Sequence, residues 1–506
     1  MADTLDNNFA ATEDQTPAGE PVILRDARLL QNGEPSAAML RSCIREYQEG
    51  ETRRDKLYKY FTLQHDITGR QRAQGLPNNK LVHDFPGYIV AMATGYLVGN
   101  AVSYSTSEEA QKKALEILQK AYNRDSVESV DSELATDASV FGAGVEVDYM
   151  GQDSMPHAAK VDRRQAFVVY DATVEQAPLF GVYWLPRLDE EGKKSGLRAW
   201  VYTSSYIIPY EGITLDTLTE VEAIDGQGGR QQHFFGVVPL IEYWNNPQMA
   251  GDFEKVITLI DAYNMLQSDR VNDKSQFVDA ILVLIGVTGG IAPATNPEDK
   301  RTPAQRLRDD RLLNLPPNAK AEWLAKQLDE ADVEVLKNAI KSDIHKFSQV
   351  PDLTDEKFAG NSSGVAMRYK LLGLEQLTKV KERWFREGLR WRRRAFCNAL
   401  ATKGVISTAD PEAIEETFTR SLPVNEVEIA QMVKDLQGIV PDEILLAQVP
   451  FVSDVQKALE MLIKQKAEAA ELQKKAFGDY PDANENGGAA GQGDKSGGAG
   501  KQEGEE

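Results

Sequence analysis

The chain has 506 residues, 42% of them hydrophobic and 27% charged. These are the proportions of a folded soluble protein with room for about two to four domains. Its net charge of −21 repels a polyanion at long range, so phosphate neutralisation is a poor default for its function. Two unpaired cysteines, Cys43 and Cys397, and scattered histidines exclude a disulfide framework and a cysteine-based zinc site, and fit a reducing compartment.

The opening "MADTLDNNFAATEDQTPAGE" is acidic and polar, unlike a signal or transit peptide, and reads as a flexible arm. Residues 37–60 follow a helical pattern, which "DITGRQRAQGLPNN" then breaks. A helix over about 86–98 carries Gly87, Ala91, Gly95 and Gly99 at four-residue steps. That stripe admits a second backbone at close range, either inside a tightly packed core or at a subunit or membrane interface. The length of the helix favours the core. The apolar run "FPGYIVAMATGYLVG" falls short of the roughly 20 residues that span a bilayer.

Between 141 and 246, runs such as "AFVVYDA" and "RAWVYTSSYIIPY" are rich in β-branched and aromatic residues. They predict an antiparallel sheet region, with "DEEGKKSG" as a hairpin tip. No βαβ alternation appears, so the fold class is α+β and mainly helical. Helical periodicity returns over 252–277, with Phe253, Val256, Ile257, Ile260, Tyr263 and Leu266 on one face. A strand, a Gly/Pro-bearing loop and a returning strand follow. A second helix over about 326–348 places Leu328, Val335, Leu336, Ile340, Ile344 and Phe347 on its apolar face.

A polar stretch, "VPDLTDEKFAGNSSGVAMRY", then separates this helix from a very long one over about 364–400. Pro351 ends the first helix, because proline removes a donor and restricts the residue before it. Ser362 and Ser363, with Asn361, are N-cap candidates for the second. Further on, Asn425 with Glu428 and Ser453 with Gln456 are spaced as capping boxes. The Gly-rich end lacks the apolar content to fold.

The chain has no Walker-type loop, no H-E-x-x-H, no G-x-S-x-G and no Cys/His set. Nothing argues for catalysis, a cofactor or a metal. One basic cluster stands out in "KVKERWFREGLRWRRRAF": Arg383, Arg386, Arg390, Arg392, Arg393 and Arg394, interleaved with aromatics. It suits a nucleic-acid contact, or an ion-pair zone within or between subunits. In so acidic a chain the second reading is the stronger.

Taken in order, four features resemble the portal proteins of tailed bacteriophages, in their SPP1-type branch. They are the Pro-Asn-Asn-Lys element before "GYLVG", the helix "LIDAYNMLQSDRVNDKSQFVDAILVL", the insert between the two helices, and the stretch "VPDLTDEKFAGNSSGVAMRYKLLGLEQ". The resemblance implies a homo-oligomeric ring, usually a dodecamer, at one capsid vertex of the virion. Double-stranded DNA enters its channel by the action of a terminase and leaves at infection. Other implied partners are head–tail connector proteins and the major capsid and scaffold proteins, with no membrane and with assembly in the host cytoplasm.

The implied organisation is an arm (1–40), a wing (41–251), a first stem helix (252–278) and a clip (279–322). A second stem helix (323–349), a tunnel loop (350–363) and a long wing helix (364–400) follow. A wing return (401–437), a crown (438–477) and a disordered tail (478–506) complete it. Asp352, Thr354, Asp355, Glu356, Lys357, Phe358 and Asn361 then belong to the loop facing DNA. Strand pairing between neighbouring subunits is expected in the clip. Another phage structural or connector ring, and a DNA-processing enzyme using the arginine cluster, are the alternatives.

Overall fold

A computed structural model describes residues 18–73, 76–222, 229–276, 281–285, 320–324, 330–353, 369–406, 410–420, 426–447 and 455–477, with positions 302, 449 and 452. The chain divides into two compact units, Met1–Val424 and Asn425–Glu506. In chain order the strands are β1 (Ile23–Arg25), β2 (Ser103–Ser105), β3 (Ala143–Met150), β4 (Pro156–Val161), β5 (Ala166–Asp171), β6 (Pro178–Leu188) and β7 (Lys194–Tyr202). They continue as β8 (Tyr206–Gly212), β9 (Thr219–Glu220), β10 (Gln231–Gln232), β11 (Leu240–Trp244), β12 (Ile281–Ile285), β13 (Lys320–Leu324) and β14 (Glu415–Thr417). The helices of the first unit are α1 (Ala37–Glu49), α2 (Glu51–Phe61), α3 (Phe85–Val98), α4 (Lys112–Arg124), α5 (Val127–Phe141), α6 (Ile257–Gln276), α7 (Glu330–Ser348) and α8 (Leu372–Thr402).

The predicted sheet region holds two sheets. The larger has the order β1-β5-β6-β7-β8-β10, with β9 on β8, and the smaller β11-β3-β4. The β6–β7 hairpin turns at the predicted tip. Strand β5 is apolar and buried from Ala166 to Val169 because both its faces are covered there. Phe167 and Val169 pack on Leu40, Ile44 and Tyr47 of α1, and the alternate residues Ala166 and Val168 pack on Val145 and Leu240 of the smaller sheet. Strand β1 runs parallel to β5. Residues 23–25 therefore correct the expectation of a flexible arm: they complete a sheet edge.

A helical layer buries Leu57 of α2, Ile89 and Val90 of α3, Ile257 and Ile260 of α6, Ile344 of α7 and Leu374 of α8 in one cluster. Helices α6 and α7 are antiparallel, since Ile257 shares a cluster with Ile344 while Arg270 pairs with Glu334 at 3.0 Å. At 31 residues, α8 is about 46 Å long and is supported along its length. Leu374, then Phe385 and Leu389, then Phe396 and Leu400 enter three successive clusters. Gly388 lets it lie against β11, because a Cβ there would sit 2.5 Å from the Tyr243 ring.

Three further expectations change. The predicted 37–60 helix breaks at Gly50, where the Arg54 guanidinium occupies the space of a side chain. Ala91, Gly95 and Gly99 of the small-residue stripe are exposed, and Ile89, Val90, Ala93 and Leu97 face the core instead. The bulkier side of α3 offers more apolar area to bury, so the packed-core reading of the stripe fails. On α7, Ile344 is buried, but Val335, Leu336 and Phe347 are at least half exposed. In the predicted clip, β12 and β13 pair with each other, in antiparallel register.

The second unit contains α9 (Glu426–Leu436), α10 (Asp442–Leu446) and α11 (Val455–Phe477). Gly438, at φ +85°, lies in the left-handed region just past α9, as helix stops commonly require. The cap candidates Asn425 and Ser453 lie outside the described residues. Gln456 donates to Glu443 of α10 at 2.6 Å, and Lys466 pairs with Asp442 at 2.7 Å.

Candidate functional site

The junction between α7 and α8 is where the sequence places its most unusual loop. Helix α7 stops at Ser348, and Gln349 turns into the left-handed region at φ +61°. Val350 is fully buried, and His345 Nδ1 bonds its carbonyl at 2.9 Å. One hydroxyl clamps the next residues: Tyr88 Oη donates to the Pro351 carbonyl at 2.8 Å and accepts from the Leu353 amide at 3.1 Å. Lys341 pairs with Asp352 at 2.6 Å, and His345 Nε2 lies 3.9 Å from the same carboxylate.

Asp352 is thus engaged at the root of the loop, and Pro351 belongs to the same anchor. The remaining predicted loop and cap residues, Thr354, Asp355, Glu356, Lys357, Phe358, Asn361, Ser362 and Ser363, lie outside the described residues. The root borders an open hollow of about 220 Å³ lined by His83, Asp84, Phe85, Tyr88, Lys341, His345 and Asp352.

The surface that carries this root is stiffened by an arrangement the sequence analysis missed. Residues 79–83 run extended along α6, and their alternate amides are met by polar side chains one helical turn apart. The amides of Asn79, Leu81 and His83 donate to Asn272 Oδ1 (2.6 Å), Ser268 Oγ (2.9 Å) and Asn264 Oδ1 (2.9 Å). Two extended residues advance about 6.6 Å and four helical residues about 6 Å, so the two spacings match. Asn264, Ser268 and Asn272 are all buried. Their four-residue spacing on a helix with an apolar face was the available signal. Asn264 also donates to His65, whose imidazole pKa burial lowers against the opposing hydrogen bond that its Nε2 donates to the Tyr60 carbonyl. Arg70 and Arg72 both reach Asp269, at 2.7 and 2.6 Å.

The arginine cluster on α8 is occupied by carboxylates of its own chain. Arg392, fully buried, sends Nη1 to Asp131 at 2.6 Å and its other guanidinium nitrogens to Glu146. Arg393 pairs with Glu416. Arg386 pairs with Glu382 at 2.8 Å, Arg390 with Glu387 at 3.0 Å and Arg394 with Glu412 at 2.7 Å. Arg383 is exposed and makes no ion pair among the described residues. The interleaved aromatics are packed as well: Trp384 stacks on Trp244, and Trp391 donates to the Val238 carbonyl at 3.1 Å. Other buried pairs escaped the sequence analysis because their partners are far apart in the chain: Lys381 with Asp252, Arg163 with Glu242, and Arg54 with Glu20.

Among the described residues there is no group of His, Cys, Asp and Glu side chains that could hold a metal ion. No helix of the described residues is long and apolar enough to cross a membrane. Cys43 and Cys397 are buried, and burial pushes both thiols up to about 11, which leaves them poor nucleophiles.

The family model described as "Phage portal protein, SPP1 Gp6-like" matches residues 40–472. The portal protein of Bacillus phage SPP1 is 24% identical over 477 residues, which cover 89% of this chain and 90% of that protein. The portal protein of Clostridium phage phiCD119 is 22% identical over 409 residues, 77% of this chain and 85% of that protein.

Proposed function

This chain belongs to the SPP1 Gp6-like family of phage portal proteins, and from that premise we propose how its parts divide the work of a DNA conduit. A portal protein is a structural component of the phage particle. We assign it to a ring at one capsid vertex, twelve copies being the number the resemblance implies. Double-stranded DNA passes through the centre, driven in by a terminase and released later toward head–tail connector proteins. Major capsid and scaffold proteins meet its outside during assembly in the host cytoplasm.

The observation that carries this reading is one colinear stretch. The matched residues 40–472 contain the antiparallel pair α6 and α7, the two-stranded insert between them, the clamped junction at Val350–Leu353 and the long helix α8. In the proposed division α6 and α7 are the stem, β12 and β13 belong to the clip, the two sheets and α8 form the wing, and the second unit contributes the crown. The tunnel loop, whose residues 354–363 lie outside the described residues, is the part assigned to DNA in this proposal. Symmetry repeats Lys357 as a ring of positive charge, and Asp355 and Glu356 as a ring of negative charge that weakens any lasting grip. A strand that must slide cannot be held by many phosphate contacts, because their affinity accumulates quickly.

The enzyme alternative drew its support from the arginine cluster, and that support is withdrawn by the ion pairs of Arg386, Arg390, Arg392, Arg393 and Arg394. Electron microscopy of the purified full chain tests the proposal. The expected image is a ring with a central hole. A stable monomer that is also absent from purified phage particles overturns it.

A further inference from the structure

Glu146 and Asp148 stand two residues apart on β3, so their side chains leave the same face of the sheet. Both residues are fully buried. Glu146 is well supplied: Arg392 reaches both its oxygens, and the Tyr243 hydroxyl donates to Oε2 at 3.3 Å. Asp131 takes the remaining Arg392 nitrogen. Asp148 has nothing of the kind: no donor group among the described residues reaches either of its carboxylate oxygens, and the side chain it interacts with is the Glu146 carboxyl itself.

An ionised carboxylate in that position would be dry, undonated and beside a second carboxylate, a combination that folded proteins avoid by neutralising the group. We propose that Asp148 is kept as a neutral carboxylic acid that donates its proton in a hydrogen bond to Glu146, and that this acid pair, anchored on Arg392, is a proton-dependent lock between α8 and the sheet β11-β3-β4.

The surroundings support the assignment. From α8 the site is faced by Arg392, and by Arg393, whose charge is taken by Glu416 of β14. Helix α5 contributes Asp131, and the turn before it Asp125, which is bonded to His157 of β4. Tyr122 comes from α4, Tyr104 from β2 and Tyr243 from β11. Lys160, opposite Glu146 in the sheet register, pairs instead with Asp137 at 3.2 Å. One guanidinium therefore serves three carboxyl groups. Burial first, and then the Glu146 charge, raise the Asp148 pKa well above the usual carboxylate range, with Arg392 opposing. Loss of the proton to solvent places two like charges side by side and loosens β3 from the helix that leads out of the junction.

The sign of the pH effect follows. Above the unfolded carboxyl pKa of about 4 and below the raised folded value, the folded chain binds a proton that the unfolded chain does not, so stability falls as pH rises through that window. Asp137 and Asp261, which burial pushes up to about 6, titrate lower. Cys43 and Cys397, pushed up to about 11, add a fall of the same sign near pH 9, so the Asp148 contribution is read from melting of the full chain between about pH 7 and about pH 8, as the difference from the Asp148→Asn variant.

Asp148→Asn keeps the shape and supplies a donor at every pH. It is expected to fold and to lose part of the fall of several degrees that the unaltered protein shows across this range. Infrared difference spectra are expected to show, at neutral pH, a protonated-carboxyl band that this variant lacks. Parallel melting profiles for the two proteins overturn the proposal. So does an asparagine variant that cannot fold, or the absence of a protonated-carboxyl band from the unaltered protein at neutral pH.

Discussion

Arg392 shows how much of this molecule rests on single buried charges. Its guanidinium is fully buried and joins Asp131 of α5 to Glu146 of β3 through four donor contacts. An arginine fork can satisfy two carboxylates at fixed angles, which an ammonium cannot. Removing it leaves two buried acids, Asp131 and Glu146, without a counter-charge, and breaking a buried pair in that way costs about 3–5 kcal/mol. Arg392→Ala is therefore expected to lower the urea midpoint severely or to abolish soluble expression. Arg392→Lys should recover only part of the loss. A midpoint unchanged by the alanine variant would show that the triad contributes nothing to holding α8 on the sheet. Arg383, exposed on the same helix, is the internal control, since its alanine variant should change the stability by less than about 0.5 kcal/mol.

At the scale of elements, the strap at residues 79–83 and helix α6 form a unit whose stability is readable amide by amide. Asn79, Leu81 and His83 donate to Asn272, Ser268 and Asn264, whereas the amides of Lys80 and Val82, between them, have no hydrogen bond among the described residues. Hydrogen exchange resolved to single residues should therefore alternate, slow at 79, 81 and 83 and faster at 80 and 82. Ser268→Ala leaves the Leu81 amide unpaired, at about 1–3 kcal/mol, and should speed exchange there by roughly tenfold or more. Uniform exchange along the strap would contradict the ladder. The Pro-Asn-Asn-Lys element was legible in the sequence as a break between helices, but its partner was not. A polar residue on a helix announces no target when the backbone it serves lies some 190 positions earlier, as Asn272 does for Asn79 at a separation of 193. The helical runs and the hairpin tip were readable because their causes are local: periodicity and turn residues. The exposed glycine stripe and the outward Val335, Leu336 and Phe347 were misjudged for the opposite reason. Periodicity identifies a face without saying what covers it.

For the whole molecule, the charge balance and the family membership converge on a single mechanical demand. With a net charge of −21, and with its densest basic cluster largely neutralised by its own acids, the chain repels DNA over most of its surface. It can afford a polyanion passage only where a few positive groups are presented at a controlled place. The clamped root confines that place. Tyr88 fixes Pro351 and Leu353, and Lys341 holds Asp352, so in the proposed division Asp352 anchors the root and the residues assigned to DNA start at 354. Deleting residues 354–360 while keeping that root separates the two roles. Because α6, α7 and the core of α8 make their contacts without the deleted residues, rings are expected to form with normal dimensions, as judged by electron microscopy. DNA packaged per particle, or DNA retained after packaging, is expected to fall. The paired variant Tyr88→Phe keeps residues 354–360 but releases the clamp, so its defect should be milder and of the same kind. Normal packaging by the deletion, with intact rings, would locate the DNA-handling surface elsewhere in the chain and leave the root as a structural joint alone.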